Sequence, residues 1–356
     1  TSEMGRDEWL KTRRDGLGGS EAAAILGLDP YSGPYAIYRS KTVEEGEPEP
    51  DAGEPAYWGN VLEDTVAIEF GRRNPEFEVM KIPVMLQSRE HPWMLANVDR
   101  FIRTTNGTGK NRKYEYGVLE VKTRSAYVGH EWDDGKVPIR VLAQVQFYLA
   151  VTGLQFGYVA CLVGGQRFAA TRVEANPEMQ ALIIEKTKEL WDRIQRLDPP
   201  DPEGTASATR ILDSQYPSAD PGSEPVDLTP IYDKIRRVPE IKRQMKELSA
   251  ELDELENLAK SRLGTSQDGY IYDDTYVVRW SNGTRRDVDL KALKAEMPDI
   301  AAKYTVERKY RSLKFKIGNI QELEDSDPGF VAGYLPSGSE DTPIRIPVEM
   351  IEFLPE

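Results

Sequence analysis

The chain has 356 residues, 39% hydrophobic and 30% charged, with a net charge of −14 at pH 7, which is the composition of a soluble globular protein of one large or two modest domains. A single cysteine, Cys161, excludes an internal disulfide and any metal site built on several cysteines, and the two histidines, His91 and His130, leave histidine-rich metal sites poorly supplied. No apolar run approaches the length of a membrane span and the first residues are charged rather than signal-like, so a cytoplasmic protein without membrane contact is expected.

A short helix is predicted over 20–28, with Ser20 as N-cap and Gly27 near its end. Pro34 opens a second helix through 43, and residues 44–56, rich in Glu, Pro and Gly, read as a loop. Leu62, Val66 and Phe70, four residues apart, put a third helix over 57–72. Strands are predicted at 78–86, 94–103 and 117–124, the last two joined as a long hairpin by a polar loop over 104–116. A helix over 139–152, strands at 156–163 and 166–174 and a helix over 177–196 complete a first domain, 1–197. This order of elements predicts an α/β fold, a mixed sheet flanked by helices.

Residues 198–228 read as an acidic, Pro-rich linker. A long helix is predicted over 229–263, with Ile241, Met245, Leu248, Leu252, Leu255 and Leu258 at amphipathic or coiled-coil-like spacing. Strands around 269–280, a helical stretch near 288–303 and a strand near 305–317 make a small α+β extension, 229–317, followed by an acidic tail, 318–356. The tail ends in an apolar stretch that suits docking, on its own domain or a partner, as well as an inert end. The linker holds seven acids and one arginine and the tail nine acids and one arginine, so together they carry the whole net charge and leave 44 acids against 44 bases elsewhere. Global acidity therefore does not bar a nucleic-acid partner.

Side chains alternate along a strand. Leu95, Asn97, Asp99 and Phe101 thus share one face, as do Val118, Glu120 and Lys122 on the next strand. If Asp99 and Glu120 point the same way, two carboxylates converge, which is unfavourable without a cation between them. Lys122 adds an ammonium on the same face. This Asp…Glu-x-Lys set supplies what metal-assisted phosphodiester hydrolysis needs: carboxylates for the ion and a lysine to position or deprotonate the attacking water. The triplet alone is common, and a solvated hairpin also carries such charges. Glu63 on the upstream helix, and Gln144 and Tyr148 on one face of the downstream helix, extend it into an ordered set. A ligand set made of carboxylates suits Mg2+ or Mn2+.

The order Glu63…Asp99…Glu120-Val121-Lys122…Gln144-x-x-x-Tyr148 resembles the PD-(D/E)xK nuclease superfamily. More narrowly, it is similar to the YqaJ-like viral recombinase and lambda-exonuclease group of phage alkaline exonucleases. Trp9 to Arg13, Gly16 to Glu21, Trp58-Gly59 and Ala143 to Thr152 support the narrower match, which spans about residues 5–175. The resemblance implies a restriction-endonuclease-like fold and a 5′-to-3′ double-strand exonuclease, dependent on Mg2+ or Mn2+, that leaves a 3′ single strand for recombination. It implies Asp99 and Glu120 as direct metal ligands, the Val121 carbonyl as a third, and Glu63 binding directly or through water. Lys122 would orient the nucleophilic water, and Gln144 and Tyr148 would support the site or the DNA. It also implies that Arg13 and Ser20 grip a 5′-phosphate, as a guanidinium and a hydroxyl at a helix N-terminus can; Ser20 equally suits a plain N-cap. The implied partners are double-stranded DNA, further copies of the chain in a homo-oligomer such as a trimeric ring, and a single-strand annealing protein. Two departures stand out: Asn97 where a serine or proline is usual, and Arg100 where glycine is common. The alternatives are an endonuclease on the same fold and a non-catalytic DNA-binding protein. The intact acid–acid–lysine set argues against the latter.

Overall fold

The computed structural model describes residues 14–43, 53–107, 111–271, 276–306, 311–313, 315–317, 330–332, 334–336 and 345–347. The chain divides into two compact units, Thr1–Gln215 and Tyr216–Glu356.

In the first unit, β1 (Leu17–Gly18) leads into a 3-10 turn (Gly19–Glu21), α1 (Ala22–Ile25), α2 (Pro34–Thr42) and α3 (Gly53–Arg73). Then come β2 (Phe77–Met80), β3 (Leu86–Gln87), β4 (Met94–Ala96), β5 (Arg100–Asn106) and β6 (Lys113–Arg124). After a 3-10 segment (Ala126–Gly135) follow α4 (Ile139–Thr152), β7 (Phe156–Val163), β8 (Arg167–Glu174) and α5 (Pro177–Arg196). The main sheet runs β2-β5-β6-β7-β8, with β6 and β7 parallel and the other pairs antiparallel. A parallel pair needs a crossover, and α4 supplies it. The fold is thus mixed α/β, a mixed sheet flanked by helices.

Alternation sorts β6 between two cores. Val118 packs with Ala143, Val145 and Phe147 of α4, whereas Leu119 and Val121 pack with Val66, Ala67 and Phe70 of α3. Because both faces are covered over Gly117–Val121, Glu120 is held between packed layers.

Several elements differ from expectation, each for a local reason. The strand expected over 78–86 is two strands in separate sheets, since Pro83 lies between them and has no N–H for a ladder. The strand over 94–103 divides at Asn97-Val98-Asp99: Met94–Ala96 joins a small sheet, β1-β4-β3, and Arg100 opens the large one. The loop over 104–116 is mostly ladder, pairing out to Asn106 with Lys113, because Thr104, Thr105, Tyr114 and Tyr116 suit cross-strand pairs. Ser20 is not the N-cap. It lies inside the 3-10 turn, and Glu21 accepts the Gly18 N–H at 2.7 Å while its other oxygen pairs with Lys41 at 3.0 Å, both side chains buried.

Helix α6 (Ala206–Gln215) lies in the stretch read as a linker. It is tied to the first unit by Glu203, which accepts the Tyr35 N–H at 3.1 Å, and by buried Ala208.

The second unit holds a 3-10 turn (Thr229–Ile231), α7 (Tyr232–Ile235), α8 (Val238–Leu263), the hairpin β9 (Asp268–Ile271) and β10 (Tyr276–Arg279), α9 (Leu290–Glu296) and α10 (Pro298–Tyr304). The helix expected over 229–263 starts only at Val238, because Pro239 fits a first turn but not an interior. Pro298 divides 288–303 in the same way. Short strands β11 (Phe315–Ile317), β12 (Phe330–Ala332), β13 (Tyr334–Pro336) and β14 (Arg345–Pro347) pair as β11 with β13 and β12 with β14. Residues 307–310 and 314 of the strand expected over 305–317, and most of 318–356, lie outside the described residues. Among the described residues no helix is long and apolar enough to cross a membrane.

Candidate active site

The register of the β5–β6 hairpin sets Arg100 opposite Leu119, so the preceding residue, Asp99, comes opposite Glu120. The Asp99 carboxylate accepts the Val121 backbone N–H at 2.8 Å. Glu120 is only 1% exposed; its Oε1 accepts from the Lys122 ammonium, and its Oε2 is buried without a hydrogen-bond partner. Burial, and after it the charge of Glu120, pushes the Asp99 carboxyl up to about 8.

Arg100 falls on the opposite parity from Asp99 and points to the α3 side, where it is 4% exposed. It donates to Glu63 Oε1 at 2.7 Å and also to Asp64, which Lys81 holds as well, at 2.9 Å. From α4, the Gln144 amide donates to the Tyr148 hydroxyl at 2.9 Å. Gly19 lies directly on the Tyr148 ring: a Cβ there would come within 2.4 Å of Cε1, so only glycine allows this approach.

A cavity of about 740 Å³ is lined by Ser20, Glu63, Asp99, Glu120, Val121, Lys122, Gln144 and Tyr148. Arg13 lies outside the described residues. Asp99, Glu120 and Lys122 come together, but Glu63 does not complete a three-acid cluster with them. Among the described residues no three His, Cys, Asp or Glu side chains are grouped to hold a metal ion. Arg100 instead engages Glu63 in an ion pair.

The donor set nonetheless fits a hard divalent cation. Two carboxylates face each other at the cavity floor, one with an unsatisfied buried oxygen and the other with its charged form disfavoured. Such an arrangement is costly without a cation, and an all-oxygen set suits Mg2+ or Mn2+.

Sequence reasoning missed two arginines. Arg100 appears there only as a departure, although strand parity already sets it on the far face from Asp99. Arg124 has the parity of Glu120 and Lys122, and the structure places it half-buried in the cavity wall. The 3-10 segment after β6, which adds Val128 to the wall, has no periodicity that would reveal it.

Asp99, just before β5, and Glu120 and Lys122 on β6 thus form the Asp…Glu-x-Lys arrangement expected from the sequence. The chain belongs to the YqaJ-like viral recombinase family, whose domain matches residues 8–155. It is 34% identical over 319 residues to the "Uncharacterized protein YqaJ" of Bacillus subtilis (strain 168), covering 88% of this chain and 95% of that one. Among solved structures it is similar to an alkaline exonuclease (LHK-Exo) from Laribacter hongkongensis, at 15% identity over 59% of this chain and 100% of that one, with a TM-score of 0.44. A phage related exonuclease from Haemophilus somnus 129PT matches at 12% identity over 58% of this chain and 100% of that one, with a TM-score of 0.34.

Proposed function

We propose that this chain is a divalent-metal-dependent deoxyribonuclease, a 5′-to-3′ exonuclease on double-stranded DNA that leaves 3′ single strands for recombination. The observation that carries this reading is the buried Asp99–Glu120–Lys122 cluster on the cavity floor, with one Glu120 oxygen unsatisfied. Membership in a viral recombinase family supports DNA as the substrate.

Asp99, Glu120 and the Val121 carbonyl would hold Mg2+ or Mn2+, with Glu63 joining directly or through water. When bound, the ion supplies Lewis-acid polarisation of the phosphodiester and makes water more acidic. Lys122 Nζ, held by Glu120, orients the nucleophilic water and can exchange a proton with it. Gln144 and Tyr148, bonded to each other, form a fixed wall that supports the substrate. Ser20, on the rim, and Arg13 grip the 5′-terminal phosphate. The partners of this reading are further copies of the chain in a trimeric ring and a single-strand annealing protein.

The test is incubation with Mg2+ and a linear duplex labelled at either end, beside a closed circle. Progressive loss from the 5′ ends, abolished by chelator and by Asp99→Ala or Glu120→Ala, is expected. Full activity in excess chelator or in either variant overturns the metal site. Cutting of the closed circle replaces the exonuclease with an endonuclease.

A further inference from the structure

We infer that Arg124 forms a second phosphate subsite, holding the phosphodiester next to the one that is cut. The inference rests on the nuclease reading and deepens it by adding a contact that binds substrate without taking part in the chemistry.

Glu120, Lys122 and Arg124 alternate along β6 and so share one face. Two residues of strand advance about 6.6 Å, a step comparable to the spacing of successive phosphates along a nucleic-acid strand. A backbone running along this face with one phosphate at Lys122 therefore brings its neighbour to Arg124. The guanidinium is half-buried and lines the same cavity as the acid pair.

What sets Arg124 apart among the described residues of the sheet is that no carboxylate pairs with it. The other arginines on the five-stranded sheet, Arg100, Arg103, Arg167 and Arg172, each pair with a carboxylate. Among the described residues Arg124 makes no ion pair, and its side-chain hydrogen bond goes to the Thr123 carbonyl, at 2.8 Å. Its remaining N–H donors are left for the cavity. Burial lowers the Arg124 pKa, the mark of a cation held away from water. A partly desolvated guanidinium is stabilised by an anion that accepts two parallel N–H bonds, and the two non-bridging oxygens of a phosphodiester present that geometry.

The test measures binding with chelator present throughout, so that affinity is read without hydrolysis. Fluorescence anisotropy of a labelled short duplex is followed against salt for the wild-type protein, Arg124→Ala and Arg124→Lys. Arg124→Ala is expected to weaken binding roughly tenfold and to lower the slope of log Kd against log salt by about one, while Arg124→Lys keeps the slope. A second arm scans a single uncharged methylphosphonate along the strand. One position should cost the wild-type protein affinity and cost Arg124→Ala nothing further. Should Arg124→Ala fail to fold, Arg124→Gln is read in the same scan. Equal affinity and slope in wild type and variant, or methylphosphonate losses that add to the substitution at every position, overturn the subsite. Where the wild-type protein binds no duplex in chelator, the same scan is read with Mg2+ as cleavage rate, and absence of cleavage as well overturns the nuclease reading instead, so the two failures are distinguishable.

Discussion

Helix α4 in the first unit and helix α8 in the second both carry apolar residues at helical spacing and have opposite surroundings. In α4, Val141, Ala143, Val145, Phe147, Tyr148 and Leu149 are all buried, against β6 and its neighbours. In α8 none of 26 residues is buried, and the stripe from Ile241 to Leu258 is 42–64% exposed. Periodicity announces a face but not what covers it. The proposed active site belongs to the covered kind. Glu120 and Lys122 can be held between layers because α4 closes over β6 and contributes Gln144 and Tyr148 at the edge of that contact. On α8 the charges do the ordinary work of a wet helix, as in the exposed Arg243 pairs with Glu240 and Glu247, at 2.7 Å each.

The largest effect expected from this contrast is on stability. Phe147, fully buried in α4, should cost about 3–5 kcal/mol on replacement by alanine, read by urea denaturation of the first unit. A loss below about 1 kcal/mol would mean that α4 is no better packed than α8.

Next comes pH. An acid whose folded pKa is raised stabilises the fold in its protonated form. That contribution is complete below the ordinary carboxylate value of about 4 and is lost as pH climbs through about 8. In chelator, the melting temperature should therefore fall between about pH 5 and about pH 9, and Asp99→Asn should flatten the fall. An identical profile in the variant removes Asp99 as the cause.

Lys122→Ala should lower turnover at least about tenfold, roughly 1.4 kcal/mol, with little change in KM. Lys246→Ala on α8 should leave turnover unchanged. Equal effects from the two lysines would erase the distinction between held and solvated charge. The smallest effect is expected at Leu252, 56% exposed, where alanine should change stability by no more than about 0.5 kcal/mol. A cost near about 2 kcal/mol would break the comparison by showing that the stripe is covered.

Much of the first unit was legible because its signals are local. Phe156–Val163 and Ile139–Thr152 declare themselves by composition, period and the Gly153 stop, and the structure places both at the expected bounds. The convergence of Asp99 with Glu120 was legible too, since strand parity and a hairpin suffice for it. What stayed hidden depends on partners distant in sequence. Nothing near Glu63 says that Arg100, from another element, engages it, and nothing in 94–103 says that its two halves serve different sheets. Helix α6 was hidden by composition, because an acidic, Pro-rich setting outweighed its short apolar stripe.

Arg100 has a mechanical consequence. One guanidinium holds two acids from the same turn of α3, so the tie between that helix and β5 survives the release of either. Glu63 can change partner while Asp64, which Lys81 also grips, continues to neutralise the buried cation. The acid is thus free to swing while its helix stays moored.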